Sequence, residues 1–237
     1  MDDSLIKAMV IGDGCLCNGR EAQGYRNYRF TCLHSIKQKE YLLWKRGLLA
    51  DLGVKTWYSE FLNTTNSHTG KKAMMCRIET GVSPYFTDLH GVMYPKEKGF
   101  KPGVLDDLEA KHLAVIFMDD GTKQVLKKGG QTRGNVRVVY ECEPYISAFR
   151  FCLQSHGWVG AQQFADWLNA KYNVYSRVHS QKGSAVLDIQ RNAAKERFRE
   201  LIAPHVHPSM AYKLEGSLHF RVIHRERLSE RAPVKVG

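Results

Sequence analysis

The 237-residue sequence predicts an α+β protein made of two pseudo-symmetric halves, each running α-β-α-β-β-α. Three observations predict it. Segments 5–14 (LIKAMVIGDG) and 112–121 (HLAVIFMDDG) share a form, a mainly apolar run closed by a carboxylate and a glycine, with Asp13 and Asp120 107 positions apart. The periodic segments that follow each copy come in the same order. Each half also closes alike, on Phe86-x-x-Leu89 then Pro95, and on Phe198-x-x-Leu201 then Pro204. Order and spacing that agree over about 100 residues are the signature of an internal repeat.

Residues 5–11 and 113–118 are apolar almost all round, which predicts helices enclosed by protein. Small residues Ala8, Gly12 and Ala114 suit close approach of two such helices. In the first half, 28–33 reads as a strand, and 38–52, with Tyr41, Leu42, Trp44, Leu48, Leu49 and Leu52, as an amphipathic helix ended by Gly53. Alternating strands 54–61 and 73–80 follow, joined by the turn-rich stretch 63–70, and helix 84–92 closes the half. The second half reads as strand 146–153, helix 161–172, strands 174–179 and 184–190, and helix 193–202. The expected division is 1–108, 109–220 and a basic tail, 221–237.

With 43% hydrophobic residues the chain has material for a core, which excludes disorder, and no apolar run approaches the ~20 residues that span a bilayer. Lys and Arg number 35 against 24 Asp and Glu, a net charge of +11 that asks for an acidic partner. The six cysteines lack a CxxC pair and read as reduced thiols. His205 and His207, flanked by prolines, read as a turn. No Ser-His-Asp or Cys-His arrangement points to a covalent nucleophile. The acidic start without a cleavage pattern predicts a protein that stays where it is made, not secreted. The Met1 start and the Val236-Gly237 end, without splicing nucleophiles, argue against an intein-embedded enzyme.

Asp13 and Asp120 stand at the C-terminal ends of their helices, where the macrodipole disfavours a carboxylate by roughly 0.3–1 kcal/mol. Pseudo-symmetry brings them together and adds like-charge repulsion. Two acids so placed want a hard divalent cation, which binds carboxylates together with phosphate oxygens. Free carbonyls at the helix ends offer further oxygens. The outline is that of phosphodiester hydrolysis.

The pair MVIGDG and LAVIFMDDG resembles the two motif copies of single-chain LAGLIDADG homing endonucleases, and Pro208-Ser209-Met210-Ala211-Tyr212-Lys213-Leu214 is similar to the P-x-M-x-Y-K-L stretch of that family. The resemblance covers residues 5–214. It implies two αββαββα halves, each with a saddle-shaped antiparallel sheet, packed through the motif helices. It also implies a monomer that cuts both strands of a long, asymmetric double-stranded DNA site across the minor groove, leaving short 3′ overhangs, with Mg²⁺ or, as a substitute, Mn²⁺. The catalytic residues so implied are Asp13, Asp120, Lys98 and Lys213, with Lys96 and Lys101 open as alternatives to Lys98. The implied metal ligands are Asp13 and Asp120 with Gly12 and Asp119. The first motif has Gly12 where the second has Asp119, and Asp120 is taken as the ligand because it adjoins the glycine. The scaffold leaves two other roles open: an RNA-binding intron maturase and a cleavage-inactive DNA-binding regulator. The compartment expected is a bacterial or phage-host cytoplasm, or the organelle that encodes the chain.

DNA contacts are expected from side chains that alternate along the strands. In 174–179 the outward set is Tyr175, Arg177 and His179. In 73–80, Met74, Cys76, Ile78 and Thr80 face the core, with Met75, Arg77 and Glu79 outward. Arg29 and Arg77 suit guanine edges or phosphate, and Gln190 adenine. Residues 123–137, with Lys123, Lys127, Lys128, Arg133 and Arg137 and no acid, read as a loop or hairpin tracking phosphate. The tail from 221 reads equally as a frayed end or a further contact.

Overall fold

The computed structural model describes residues 3–18, 26–63, 72–95, 98–133 and 136–228. The first half comprises α1 (Ser4–Ile11), β1 (Gly14–Cys17), β2 (Arg29–Ser35), α2 (Lys39–Asp51), β3 (Thr56–Asn63), β4 (Ala73–Thr80) and α3 (Pro84–Met93). The second comprises α4 (Ala110–Asp120), β5 (Gly121–Arg133), β6 (Val136–Phe151), α5 (Gly157–Tyr172), β7 (Arg177–Gln181), β8 (Ser184–Ile189) and α6 (Asn192–Ile202), followed by 3-10 turns and β9 (Val222–Leu228). Each half is αββαββα. The sheets are antiparallel, ordered β1-β2-β4-β3 and β5-β6-β8-β7, and β9 adds to β6.

α1 and α4 lie against each other, and both are enclosed because neither has a polar face to offer water. Ile6, Ala8, Met9, Leu113, Ala114, Ile116, Phe117 and Met118 are wholly buried, and one continuous core joins both halves. Burying each large apolar side chain contributes about 1.5–3 kcal/mol, so this seam is the spine of the molecule. α2 ends as its sequence asks. Gly53 takes φ +75°, a left-handed conformation that favours glycine.

Three parts of the sequence reading change. A four-residue strand, β1, stands at Gly14–Cys17, paired with β2, where the sequence offers only residues 15–18 as a candidate for the second strand that the resemblance implies. Of the loop or hairpin read at 123–137 the structure forms the hairpin: β5 runs from Gly121 and pairs with β6 from Arg133↔Val136 to Gly121↔Phe151, so the strand expected at 146–153 begins ten residues earlier. The charged, glycine-containing stretch is held as strand by β6, whose other edge is paired by β9. The tail is therefore strand through Leu228, and residues 229–237 lie outside the described residues.

Two smaller corrections concern side-chain direction. Met74 is exposed, since β4 there runs past the core, while Cys76, Ile78 and Thr80 are buried as expected. β7 begins only at Arg177, so strand alternation does not govern Tyr175. Of the turn read at 63–70, all but Asn63 lies outside the described residues.

Candidate active site between the motif helices

Asp13 follows α1 by two residues, and Asp120 is the last residue of α4. Burial raises both carboxyls above the usual carboxylate range. Repulsion from Asp119 adds to the rise at Asp13, and repulsion from Asp13 and then Asp119 adds to it at Asp120, which is pushed up to about 7. Three carboxylates from two helices thus share one site.

Asp119 is the best satisfied of the three. Its carboxylate is wholly buried and accepts from Lys45 Nζ at 2.6 and 2.7 Å and from Tyr41 Oη at 2.8 Å. Its Oδ2 also accepts from the backbone N–H of Asp13 at 3.2 Å. The space for this is made by Gly12. A Cβ on Gly12 would stand 2.4 Å from Asp119 Oδ2, so the motif mismatch, glycine in one copy and aspartate in the other, is a steric fit across the pseudo-dyad.

Lys45 projects from α2 on the same face as Tyr41 and Leu49, all three wholly buried. Burial works against its charge, but Asp119 overcomes this and holds the lysine above its ordinary value. Lys45 Nζ also lies 3.2 Å from His34 Nε2 and 3.5 Å from Cys32 Sγ. Burial, then Lys45, depress His34 to about 4, so the ring is neutral near pH 7. An ammonium only donates, so Nε2 is the acceptor and the proton sits on Nδ1, 3.6 Å from Asp13 Oδ2. Asp13, His34 and Asp119 bring one potential ligand atom each within 4.8 Å of one another.

Lys213, at the end of the 3-10 turn Pro208–Lys213, reaches the end of α4. It donates to the carbonyls of Met118 at 2.5 Å, Gly121 at 2.7 Å, Asp119 at 3.2 Å and Phe117 at 3.5 Å. Helix-end carbonyls that the sequence offered as open are thus capped by an ammonium, which the macrodipole favours. Burial lowers its affinity for the proton, and the charges of Asp119, Asp13 and Asp120 oppose the loss. Lys98 is placed elsewhere. It is exposed and its stem lies over Gly157 at the start of α5. Lys101 donates to the Gly91 carbonyl at 2.6 Å, and Lys96 lies outside the described residues. Among the described residues, the first-half lysine that reaches the carboxylates is Lys45.

On the outer face of the second sheet, Arg177, His179 and Gln190 gather around Asp188. Asp188 accepts from His179 Nε2 at 2.9 Å and Gln190 Nε2 at 3.3 Å, and Arg177 stands opposite it in register. Arg150, absent from the sequence reading, donates to Asp188 through Nε and Nη2 at 2.6 and 2.8 Å. Burial alone raises the Asp188 carboxyl, but the Arg150 and His179 bonds outweigh it and hold it below the usual range. In the first sheet Arg29 and Arg77 flank Glu79 at 3.6 and 3.5 Å. Tyr175 lies apart, under the Arg191 guanidinium at 3.9 Å. Lys123 donates to the Glu215 carbonyl at 2.6 Å, Lys127 is exposed on β5, and Lys128, Arg133 and Arg137 occupy the β5–β6 ribbon.

The raised Asp120 carboxyl has a consequence for stability. A carboxyl whose affinity for the proton rises on folding stabilises the fold below its unfolded value of 3.8, and that contribution is lost as pH rises through about 7. Melting without divalent ions is expected to show this group's stabilisation declining from pH 4 to about 7, a decline that Asp120→Asn flattens. An identical pH slope in the variant would contradict the assignment.

Residues 4–196 match the model of the LAGLIDADG DNA endonuclease family. The chain is 29% identical over 218 residues to Protein RecA of Mycobacterium shimoidei, covering 89% of this chain and 45% of that protein. It is 26% identical over 221 residues to the cytochrome b mRNA maturase bI2 of Debaryomyces hansenii, covering 90% and 74%. The chain therefore spans about half the length of the RecA relatives it matches. Among solved structures it resembles the homing endonuclease I-WcaI bound to its DNA recognition sequence, with TM-score 0.66, 20% identity and coverage of 91% and 86%. It also resembles I-DmoI in complex with DNA and Ca, with TM-score 0.52, 14% identity and coverage of 89% and 95%. These structures share its fold.

Proposed function

The chain belongs to the LAGLIDADG DNA endonuclease family, and from that premise we propose that it is a monomeric, site-specific endonuclease that hydrolyses both strands of a DNA duplex with divalent cations, leaving short 3′ overhangs. The observation that carries this reading is the meeting of Asp13 and Asp120 at the ends of α1 and α4, each raised by burial and by acidic neighbours. Lys45 is already bound to Asp119 through both carboxylate oxygens, so local charge leaves the other two acids short of positive partners. A hard dication such as Mg²⁺ relieves that shortage, and the oxygen-rich donor set suits it.

Asp13 and Asp120 hold the cations in this reading, with the Gly12 carbonyl as a further oxygen donor. Asp119 is left out of the ligand set because its carboxylate is spent on Lys45, Tyr41 and the Asp13 N–H. The cations, when bound, supply positive charge to the attacking and leaving oxygens of a phosphodiester. Lys213, fixed by carbonyls, sets an ammonium beside the reacting phosphate as negative charge builds there. Water is the nucleophile and no covalent protein intermediate forms. The outer sheet faces, with Arg29 and Arg77 on one and Arg150, Arg177, His179 and Gln190 on the other, meet the DNA grooves, while the β5–β6–β9 ribbon carries basic residues along the backbone. Among the described residues such a ribbon stands in the second half, which suits a long and asymmetric site.

A second reading, an RNA-binding intron maturase, is favoured by the maturase relative that matches 90% of this chain. The two part in one assay. A duplex made by joining the sequences that flank the gene's own insertion point is incubated with the protein in Mg²⁺ and in EDTA. Cutting in Mg²⁺ alone supports the endonuclease. An uncut duplex, together with tight binding of the intron transcript, supports the maturase.

A further inference from the structure

We propose that Asp119 is a positioning residue for Asp13, held in that place by Lys45. The proposal rests on the reading of Asp13 as a cation ligand. It starts from an asymmetry between the halves. Gly14 pairs with Cys32 in the first sheet and Gly121 with Phe151 in the second, so Cys32 and Phe151 occupy equivalent registers. Counting onward by the same interval, His34 corresponds to Leu153, Tyr41 to Gly160 and Lys45 to Phe164. Phe151, Leu153 and Phe164 are wholly buried. The architecture is thus satisfied in one half by an apolar set and in the other by Cys32, His34, Tyr41 and Lys45.

The difference continues across the seam. Asp119 of α4 enters the polar pocket, and its counterpart Gly12 offers the apolar half no side chain at all. A buried ion pair is weak evidence for stability, since desolvation offsets the Coulombic gain and well-packed apolar residues often do as well. Here the other half of the same molecule demonstrates the apolar alternative. What the polar set adds is contact with Asp13. Asp119 Oδ2 accepts the Asp13 N–H at 3.2 Å, and the His34 Nδ1 proton faces the Asp13 carboxylate from 3.6 Å. Lys45 touches both intermediaries, at 2.6–2.7 Å and 3.2 Å, and Tyr41 secures Asp119 Oδ1. The Asp13 backbone and carboxylate are therefore each met by a group that Lys45 holds.

Lys45→Met alone strands Asp119 as an unpaired buried charge and is a poor test, because the fold itself is at risk. Two charge-free pairs avoid this. Lys45→Met with Asp119→Asn keeps an oxygen for the Asp13 N–H, whereas Lys45→Met with Asp119→Leu removes it. Mn²⁺ affinity is read by calorimetry on the full chain without DNA, beside melting temperature, DNA affinity and cleavage rate. Loss of such an outer support typically lowers metal affinity or activity about 10–100-fold. The leucine pair is expected to show such a loss in Mn²⁺ affinity and cleavage with DNA affinity unchanged, and the asparagine pair to recover most of it. Both pairs at the parent's Mn²⁺ affinity, or both equally weakened, would overturn the positioning role. Asp13→Asn is the control. If it leaves Mn²⁺ binding intact, the ligand reading fails and this proposal with it. If it abolishes binding while the leucine pair retains it, the positioning role alone fails.

Discussion

Replacing Asp120 by Asn is expected to lower cleavage of the cognate duplex by at least about 10³-fold, while binding to the same duplex stays within about threefold. The substitution is nearly isosteric and removes only the charge that a cation needs. Asp120 is half-buried at the end of α4, facing Asp13 and Asp119, so the neutral amide relieves repulsion and leaves the seam intact. Binding is expected to survive because the proposed DNA contacts lie on the sheet faces and the β5–β6–β9 ribbon. It is expected even to strengthen slightly at low salt, since one negative charge beneath the phosphates is gone. Asp13→Asn is expected to give the same loss. Gel-shift and cleavage assays on one labelled duplex check both; a variant that cuts within tenfold of the parent would remove Asp120 from the chemistry.

Gly12→Ala is expected to destabilise the protein by about 2–3 kcal/mol, the upper part of the range for forcing one extra carbon into a packed seam. The added Cβ meets Asp119 Oδ2 at 2.4 Å and Asp119 Cβ at 2.6 Å. Asp119 has nowhere to retreat, because Lys45 and Tyr41 hold it from the other side. Either the ion pair breaks, stranding a buried charge, or α1 moves away from α4 and carries Asp13 with it. At roughly 2–4 °C per kcal/mol for a domain of this size, the melting temperature falls by about 4–12 °C. Cleavage is expected to fall further than stability explains, because the displaced element carries the proposed cation ligand Asp13. Gly91, with open space around its Cβ position, is the control: alanine there leaves both quantities near the parent's. A Gly12→Ala protein that melts and cuts like the parent would contradict the close fit at the pseudo-dyad.

How far these features were legible in the sequence differs from element to element. The motif helices were plain, because runs of six or seven residues that are apolar almost all round pointed to enclosed helices. β1 was nearly hidden, since Gly14-Cys15-Leu16-Cys17 is too short to show alternation. β5 was hidden by its chemistry. Lysines, Gly129 and Gly130 signal a loop, and only pairing to β6 makes them strand. Asp13, Asp120 and Lys213 stood out through motif and repeat. Lys45, Tyr41 and His34 did not, since a lysine in an amphipathic helix reads by default as solvated. One signal was present: Tyr41, Lys45 and Leu49 recur at i, i+4 and i+8, which puts the lysine on the apolar face. A buried lysine requires buried acceptors, and Asp119, the unmatched acid of the second motif, was one candidate to supply them.

In the proposed mechanism two carboxylates, one from each half, act as a single hydrolytic centre on duplex DNA. It is tested most directly by mapping both ends of a duplex carrying the joined flanking sequences after incubation with Mg²⁺. Parent protein should yield one staggered double-strand break with short 3′ overhangs, and Asp13→Asn and Asp120→Asn should yield none. Cleavage that persists in both variants, or no cleavage by a parent protein that binds the duplex, would contradict it.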